Sequence, residues 1–130
     1  MSVNLSALKQ YKSVDLRATV ATASPHKLIS LLYQGALEST AQAKGAIERN
    51  DIEARTAAIN RCSSIILGLV DFLDVEKGGE VSENLAALYD YILRALAETN
   101  RNNSVEKADE IIQLILEIKL GWESMPQKFK

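Results

Sequence analysis

An uninterrupted helix signal runs from Ser24 to Ile47, with the sequence SPHKLISLLYQGALESTAQAKGAI. Ser24 is a suitable N-cap, because its hydroxyl can accept a hydrogen bond from the free N–H groups of the first turn. Pro25 suits the first helical position, where the N–H group that proline lacks has no helical partner. The stretch therefore predicts a long amphipathic helix ending near Asn50, with an apolar stripe at helical spacing: Leu28, Ile29, Leu32, Tyr33, Ala36, Ala43 and Ile47.

A second helix is predicted directly after the first. Asp51 can cap its start. The glycine pair Gly78-Gly79 is expected to end it, because glycine readily adopts the left-handed conformation that helix termini commonly need. Its predicted core stripe consists of Ala58, Ile59, Cys62, Ile65, Ile66, Leu69, Val70 and Leu73.

Two more helices complete the pattern. The third is predicted over about residues 80–100, and the fourth begins after a cap at Asn103 or Ser104 and reaches Trp122. Short loops between long helices favour antiparallel neighbours. The predicted fold class is therefore all-α: an antiparallel up-down four-helix bundle with a short N-terminal amphipathic segment.

The chain has a length suited to one domain, predicted over residues 1–130. We divide it into an N-terminal arm, residues 1–23, and a bundle, residues 24–124. Leu8 and Tyr11 give the arm its apolar side, enough for about two turns of amphipathic helix, a length that is not stable alone.

Composition argues against several functional classes. The formal net charge is −2 and basic residues do not cluster with aromatic ones, so nucleic acid is not expected as a partner. The sequence contains neither a run of about 18 apolar residues nor a signal-peptide pattern, so we expect no membrane insertion and a cytoplasmic location. The single cysteine, Cys62, is expected to be a buried thiol.

The sequence also lacks the residue clusters that catalysis and metal binding need. His26 is the only histidine, there is no Glu-x-x-His spacing, and no glycine-rich phosphate loop is present. We therefore predict no enzyme activity, no metal and no cofactor.

The apolar stripes of two helices are wider than one core requires. At 100° per residue, the stripe around Ile111 in the fourth helix covers about 200°, and that of the second helix, from Phe72 to Leu67, about 220°. A helix facing one core needs an arc nearer 100°, although contact with two neighbours widens it. The alternative is an apolar groove for a partner segment, which the arm with Leu8 and Tyr11 is expected to cover until a partner displaces it.

Several motifs in sequence order resemble the FliS family of flagellar export chaperones. Residues 22–36, TASPHKLISLLYQGA, are similar to the family's first-helix signature, and residues 76–81, EKGGEV, to its turn before the third helix. Asn84-Leu85, residues 88–91 (LYDY) and Trp122 follow at matching spacing. The resemblance extends over nearly the whole chain. Departures from it are small: Gln34 stands where the family often has an acidic residue, and the family varies between Tyr11 and Val20.

The resemblance implies a helical bundle without cofactor or catalysis. It implies that the chain binds the disordered C-terminal region of flagellin, prevents premature polymerisation and delivers flagellin to the flagellar type III export apparatus. Export-gate and regulatory proteins are further partners that it suggests. Resemblance and pattern together nominate these partner-binding residues: Leu8, Tyr11, Tyr33, Ile66, Val70, Leu114, Leu116 and Leu120.

Two other interpretations stay open from the residues alone. The chain could be a homodimerising helical adaptor of another system, since wide apolar stripes also suit self-association. It could instead be a histidine phosphotransfer bundle. That chemistry needs an exposed mid-helix histidine, whereas His26 falls in the first turn of its helix.

Overall fold

The computed structural model describes residues 24–73 and 75–125. The predicted arm, with Leu8 and Tyr11, lies outside the described residues. The described chain forms four helices and contains no strand: α1 (Pro25–Glu48), α2 (Ile52–Asp71), α3 (Val75–Asn102) and α4 (Val105–Glu123). The all-α prediction is confirmed.

The predicted caps form as expected. Ser24, Asp51 and Ser104 each accept a hydrogen bond from the backbone N–H three residues ahead, at 3.2, 3.1 and 3.0 Å. Asn50 and Asn103, in the loops before α2 and α4, adopt left-handed backbone with φ of 58° and 53°. Asparagine tolerates this conformation better than most residues, so both turns are encoded locally.

The prediction that Gly78-Gly79 ends the second helix is wrong. Helix α2 already ends at Asp71, and Phe72 caps it with right-handed backbone. Gly79 instead interrupts α3, where its φ of 53° and ψ of −129° separate a first turn from the main helix. Gly79 thus changes the direction of the chain at this point. The main part of α3 follows from residue 80, near the predicted start of the third helix.

The helices form an antiparallel ring, as predicted. Each packs on the next, and α4 packs back on α1. Lys44 near the end of α1 pairs with Asp109 near the start of α4 at 2.8 Å. At the opposite end of the bundle, the indole Nε1 of Trp122 donates to the carbonyl oxygen of His26 at 3.1 Å. These contacts show that α1 and α4 run in opposite directions.

Small residues let α1 and α2 pack closely. Thr40 of α1 donates to the carbonyl oxygen of Ala36 at 2.8 Å, and its Oγ1 lies 3.3 Å from the sulfur of Cys62 on α2. The Thr40 hydroxyl thereby satisfies its hydrogen bond within its own helix, as buried threonines do. The other small buried residues of α1 and α2 are Gly35, Ser39, Ala43, Ala46, Ala58 and Gly68.

We expect Gly79→Ala to lower the free energy of unfolding by about 1–3 kcal/mol, because an L-residue is strained at this positive φ. Gly45→Ala in α1 is the matched control. Its Cβ would meet only the flexible end of Arg49, at 3.3 Å, so the change should stabilise the helix by up to about 1 kcal/mol. Urea unfolding measures both. Equal effects would contradict the role of Gly79.

The thiol of Cys62 should be unreactive in the folded protein. The residue is 0% exposed, and burial raises the pKa of its thiol to about 11. Since the thiolate is the reactive form, a disulfide reagent at pH 8 must wait for the bundle to open. We expect a rate at least about 100-fold below that of the urea-unfolded chain. Similar rates in both states would show that the α1–α2 interface is open.

Candidate functional site

An apolar groove lies between α3 and α4, at the end of the bundle where α1 begins and α4 ends. Its volume is about 410 Å³. We call it the α3/α4 groove. Its lining consists of Tyr33, Val81, Leu85, Leu88, Leu114, Glu117, Ile118, Gly121, Trp122 and Met125.

Helical spacing builds both walls of the α3/α4 groove. On α3, the lining residues Val81, Leu85 and Leu88 follow the i, i+4, i+7 pattern of one helix face. On α4, Leu114 and Ile118 begin the same pattern. The wide apolar stripe of α4 therefore does two things: one part packs into the core, and the adjacent part lines the groove.

Two buried tyrosines form part of the groove's support. The hydroxyl of Tyr33 on α1 lies 2.6 Å from that of Tyr89 on α3, and both side chains are almost completely buried. Burial raises the pKa of Tyr33 and, more strongly, that of Tyr89, so both phenols are neutral at physiological pH. Their hydrogen bond joins α1 to α3 across the bundle interior and places the Tyr33 ring at the groove.

Trp122 lines the groove at the end of the bundle where α4 ends. Its ring stacks on that of His26, with centroids 4.9 Å apart and an interplanar angle of 28°, while its indole N–H is bonded to the His26 carbonyl. The polar atoms of Trp122 and Tyr33 thus have partners within the fold. Among the described residues of the lining, Glu117 alone is charged, and the surface that they offer to a ligand is predominantly apolar.

Polar contacts join α3 and α4 beyond the groove. Lys107 pairs with Glu98 at 3.1 Å and with Glu110 at 3.2 Å, and the hydroxyl of Tyr91 donates to Glu110 at 2.7 Å. These contacts lower the pKa of Glu110, chiefly through the bond from Tyr91. The α3–α4 seam is therefore closed by a charged network at one end and left as an apolar groove at the other.

Further apolar side chains are exposed outside the groove. Val70 of α2 is 39% exposed, and Leu116 and Leu120 of α4 are 36% and 56% exposed. At 3.6 residues per turn, Leu116 lies about 160° and Leu120 about 120° around α4 from Leu114. The predicted residues of α4 thus belong to two different surfaces.

The structure brings only some of the nominated residues together. Tyr33 and Leu114 meet at the α3/α4 groove, whereas Val70, Leu116 and Leu120 lie on other surfaces. Ile66 is 1% exposed and belongs to the core, so its side chain presents no surface in this conformation. Leu8 and Tyr11 lie outside the described residues.

Sequence reasoning did not nominate the α3 wall or Gly121. Spacing alone cannot separate Val81, Leu85 and Leu88 from core positions, because core and groove residues on one helix recur with the same period. The sequence does offer a reason to single out Gly121. A glycine inside a predicted helix lowers the stability of that helix, so its presence there indicates a packing or functional role.

Neither a metal centre nor a membrane span is found in the described parts of the chain. Within residues 24–73 and 75–125, no three His, Cys, Asp or Glu side chains lie close enough to hold a metal ion. No helix there is long and apolar enough to cross a membrane.

An all-α bundle with an apolar groove of this kind belongs to the class of protein-interaction modules. The sequence model of a family described as flagellar protein FliS matches residues 7–128. The chain is 45% identical over 121 residues to flagellar secretion chaperone FliSB of Pseudomonas aeruginosa, covering 93% of this chain and 96% of that protein. The chain belongs to the FliS family, as its motifs indicated.

Other relatives are also named flagellar secretion chaperones. Flagellar secretion chaperone FliS of Salmonella typhimurium is 36% identical over 124 residues, 95% of this chain and 92% of that protein. The chaperone FliS of Vibrio cholerae is 32% identical over 123 residues, 95% of this chain and 90% of that protein. The family identifies the chain as a flagellar export chaperone.

The Tyr33–Tyr89 hydrogen bond should show as coupling in a double-mutant cycle. Tyr33→Phe or Tyr89→Phe alone leaves one buried hydroxyl without its partner and should lower the free energy of unfolding by about 1–3 kcal/mol. The double Phe variant should lose less than the sum of both, because it removes the pair together. Urea unfolding of the four proteins measures this. Strictly additive losses would mean that the two hydroxyls do not interact.

Proposed function

We propose that the chain binds the disordered C-terminal region of flagellin, prevents its premature polymerisation and delivers it to the flagellar type III export apparatus. The observation that carries this proposal is the exposed apolar α3/α4 groove in a member of the FliS family. A segment that packs into a filament is apolar, and covering that apolar surface removes what would start polymerisation.

Shape and apolar contact, rather than polar recognition, would hold such a segment. The tyrosine hydroxyl and the indole N–H that line the groove are bonded within the fold, to Tyr89 and to the His26 carbonyl. A small polar ligand would therefore find few free partners. An apolar segment that folds on binding needs none, because its backbone satisfies its own hydrogen bonds as a helix.

The groove alone does not suffice for tight binding of a disordered segment. Three or four buried apolar side chains contribute about 5–12 kcal/mol at about 1.5–3 kcal/mol each. Association and ordering together cost a similar amount. We therefore propose that flagellin extends beyond the groove, with Val70, Leu116 and Leu120 as its contacts on the outer surfaces of α2 and α4.

Tyr33 contributes its ring to the groove, and Ile66 supports the outer surface of α2 from the core. The arm, with Leu8 and Tyr11, is proposed to cover apolar surface until flagellin displaces it. We further propose one domain over residues 1–130, a cytoplasmic location and no catalytic activity or cofactor. Export-gate and regulatory proteins are proposed as secondary partners, and self-association through the same apolar surfaces as a competing state.

Isothermal titration with the C-terminal segment of flagellin from the same organism tests the proposal. We expect stoichiometric binding with a large negative heat-capacity change, the mark of apolar burial coupled to folding. Absence of binding at tens of micromolar protein would refute flagellin as the partner. Light scattering of the free chain at several concentrations would reveal self-association separately.

Charge substitutions locate the binding surface. Val81→Asp places a carboxylate at the groove and should weaken flagellin binding at least about tenfold, because the charge must be desolvated. Val81 is 55% exposed in the free chain, so folding should tolerate the change. The same titration measures the affinity.

Two matched variants complete the experiment. Leu120→Asp tests the outer surface of α4 and should weaken binding less than Val81→Asp. Ile52→Asp is the control: Ile52 is 64% exposed, begins α2 at the opposite end of the bundle and should leave the affinity unchanged. An equal loss in all three variants would show that added charge, rather than the groove, is responsible.

A further inference from the structure

Gly121 is a glycine that the fold itself does not require. It lies in the last turn of α4, and no residue of α4 has the positive φ that favours glycine. Apart from its own helix backbone, a Cβ at this position would meet no atom of the described residues within 4 Å. Gly78 and Gly79 differ: a Cβ on Gly78 would overlap the side chain of Ser82, and Gly79 has a positive φ. Alanine at 121 would make a better helix, since glycine is the less favourable residue there.

The absent side chain leaves a notch in the wall of the α3/α4 groove. Gly121 is exposed and lines the groove together with Ile118, one turn before it, and Met125, one turn after it. Leu114 and Leu85 line the same groove, so the surroundings are apolar. The open space at Gly121 therefore faces the ligand side of the helix and not a neighbouring helix.

We propose that Gly121 is a specificity-determining residue of the groove: its notch receives one large apolar side chain of the bound flagellin segment. This inference rests on the proposed function. An apolar side chain suits the notch because Ile118 and Met125 flank it within an apolar groove, whereas a polar group would lose its water without gaining a partner. A methyl group at 121 would occupy the space that the incoming side chain needs and would overpack the complex.

The test uses Gly121→Ala in the full chain, with Gly45→Ala on α1 as the matched control. Both changes replace a helical glycine, so both should raise the melting temperature by about 2–5 °C. Gly121→Ala alone should weaken binding of the flagellin C-terminal segment, by about fivefold or more. Gly121→Leu should weaken it further. Calorimetry and thermal unfolding give both quantities, and a merely structural glycine would not combine greater stability with weaker binding.

Each other outcome has a distinct meaning. If the wild-type chain does not bind the segment, the proposed function itself fails. If it binds and Gly121→Ala binds equally well, the notch is unused and this inference is overturned. Tighter binding by Gly121→Ala would also overturn it. In that case the notch of the wild-type chain would receive a competitor of flagellin, such as residues 1–23, and the added methyl group would displace that competitor. A lower melting temperature would show that the fold needs the glycine.

Discussion

The close packing of α1 against α2 is the constraint on which the rest of the bundle depends. Small residues, with Ala36 and Thr40 on α1 facing Cys62 on α2, let the two helices approach and exclude water from the interface. This pair packs more extensively than any other two helices among the described residues. Helix α4 completes the structure from the other side of α1, and α3 is held less extensively, through its contacts with α2 and α4.

The loose attachment of α3 explains where the groove forms. At one end of the bundle, Asn100 accepts hydrogen bonds from Arg55 and Thr56 of α2, at 2.8 and 3.1 Å. The Lys107 network joins α3 to α4 near the same end. At the opposite end, the leucines of α3 and α4 do not close over each other, and the groove remains. Polar contacts thus fix the position of α3, while its apolar residues stay available.

The chemistry of the groove agrees with a role in holding a protein chain. Tyr33 and Trp122 bring polar atoms to the groove, but both use them inside the fold. Apolar burial is not directional, so such a surface can hold a segment that arrives unfolded and adopts its structure on contact. The three glycines near the groove differ in why a glycine stands there. At Gly78 a Cβ would overlap the side chain of Ser82, and at Gly79 the backbone has a positive φ. Neither reason applies to Gly121.

The sequence by itself determined the helices and most of their ends. Ser24, Asp51 and Ser104 act on their own first turns, so the caps follow from local chemistry alone. The motifs that resemble the FliS family are also short stretches of contiguous sequence, and they identified the class of protein. The predicted end of the second helix was wrong because a glycine pair indicates a break in a helix but not which helix is broken. Gly79 interrupts α3, whereas α2 ends earlier, at Asp71.

Only the tertiary structure decided how each apolar stripe is divided. Leu114 and Leu116 are equally apolar, yet Leu114 lines the groove and Leu116 lies on the outer surface of α4. Ile66 and Val70 stand one turn apart on α2, but Ile66 is buried and Val70 is exposed. Periodicity gives the angle of a side chain around its own helix. Burial depends on where the neighbouring helices lie around that axis, and that is set by packing between segments distant in the chain.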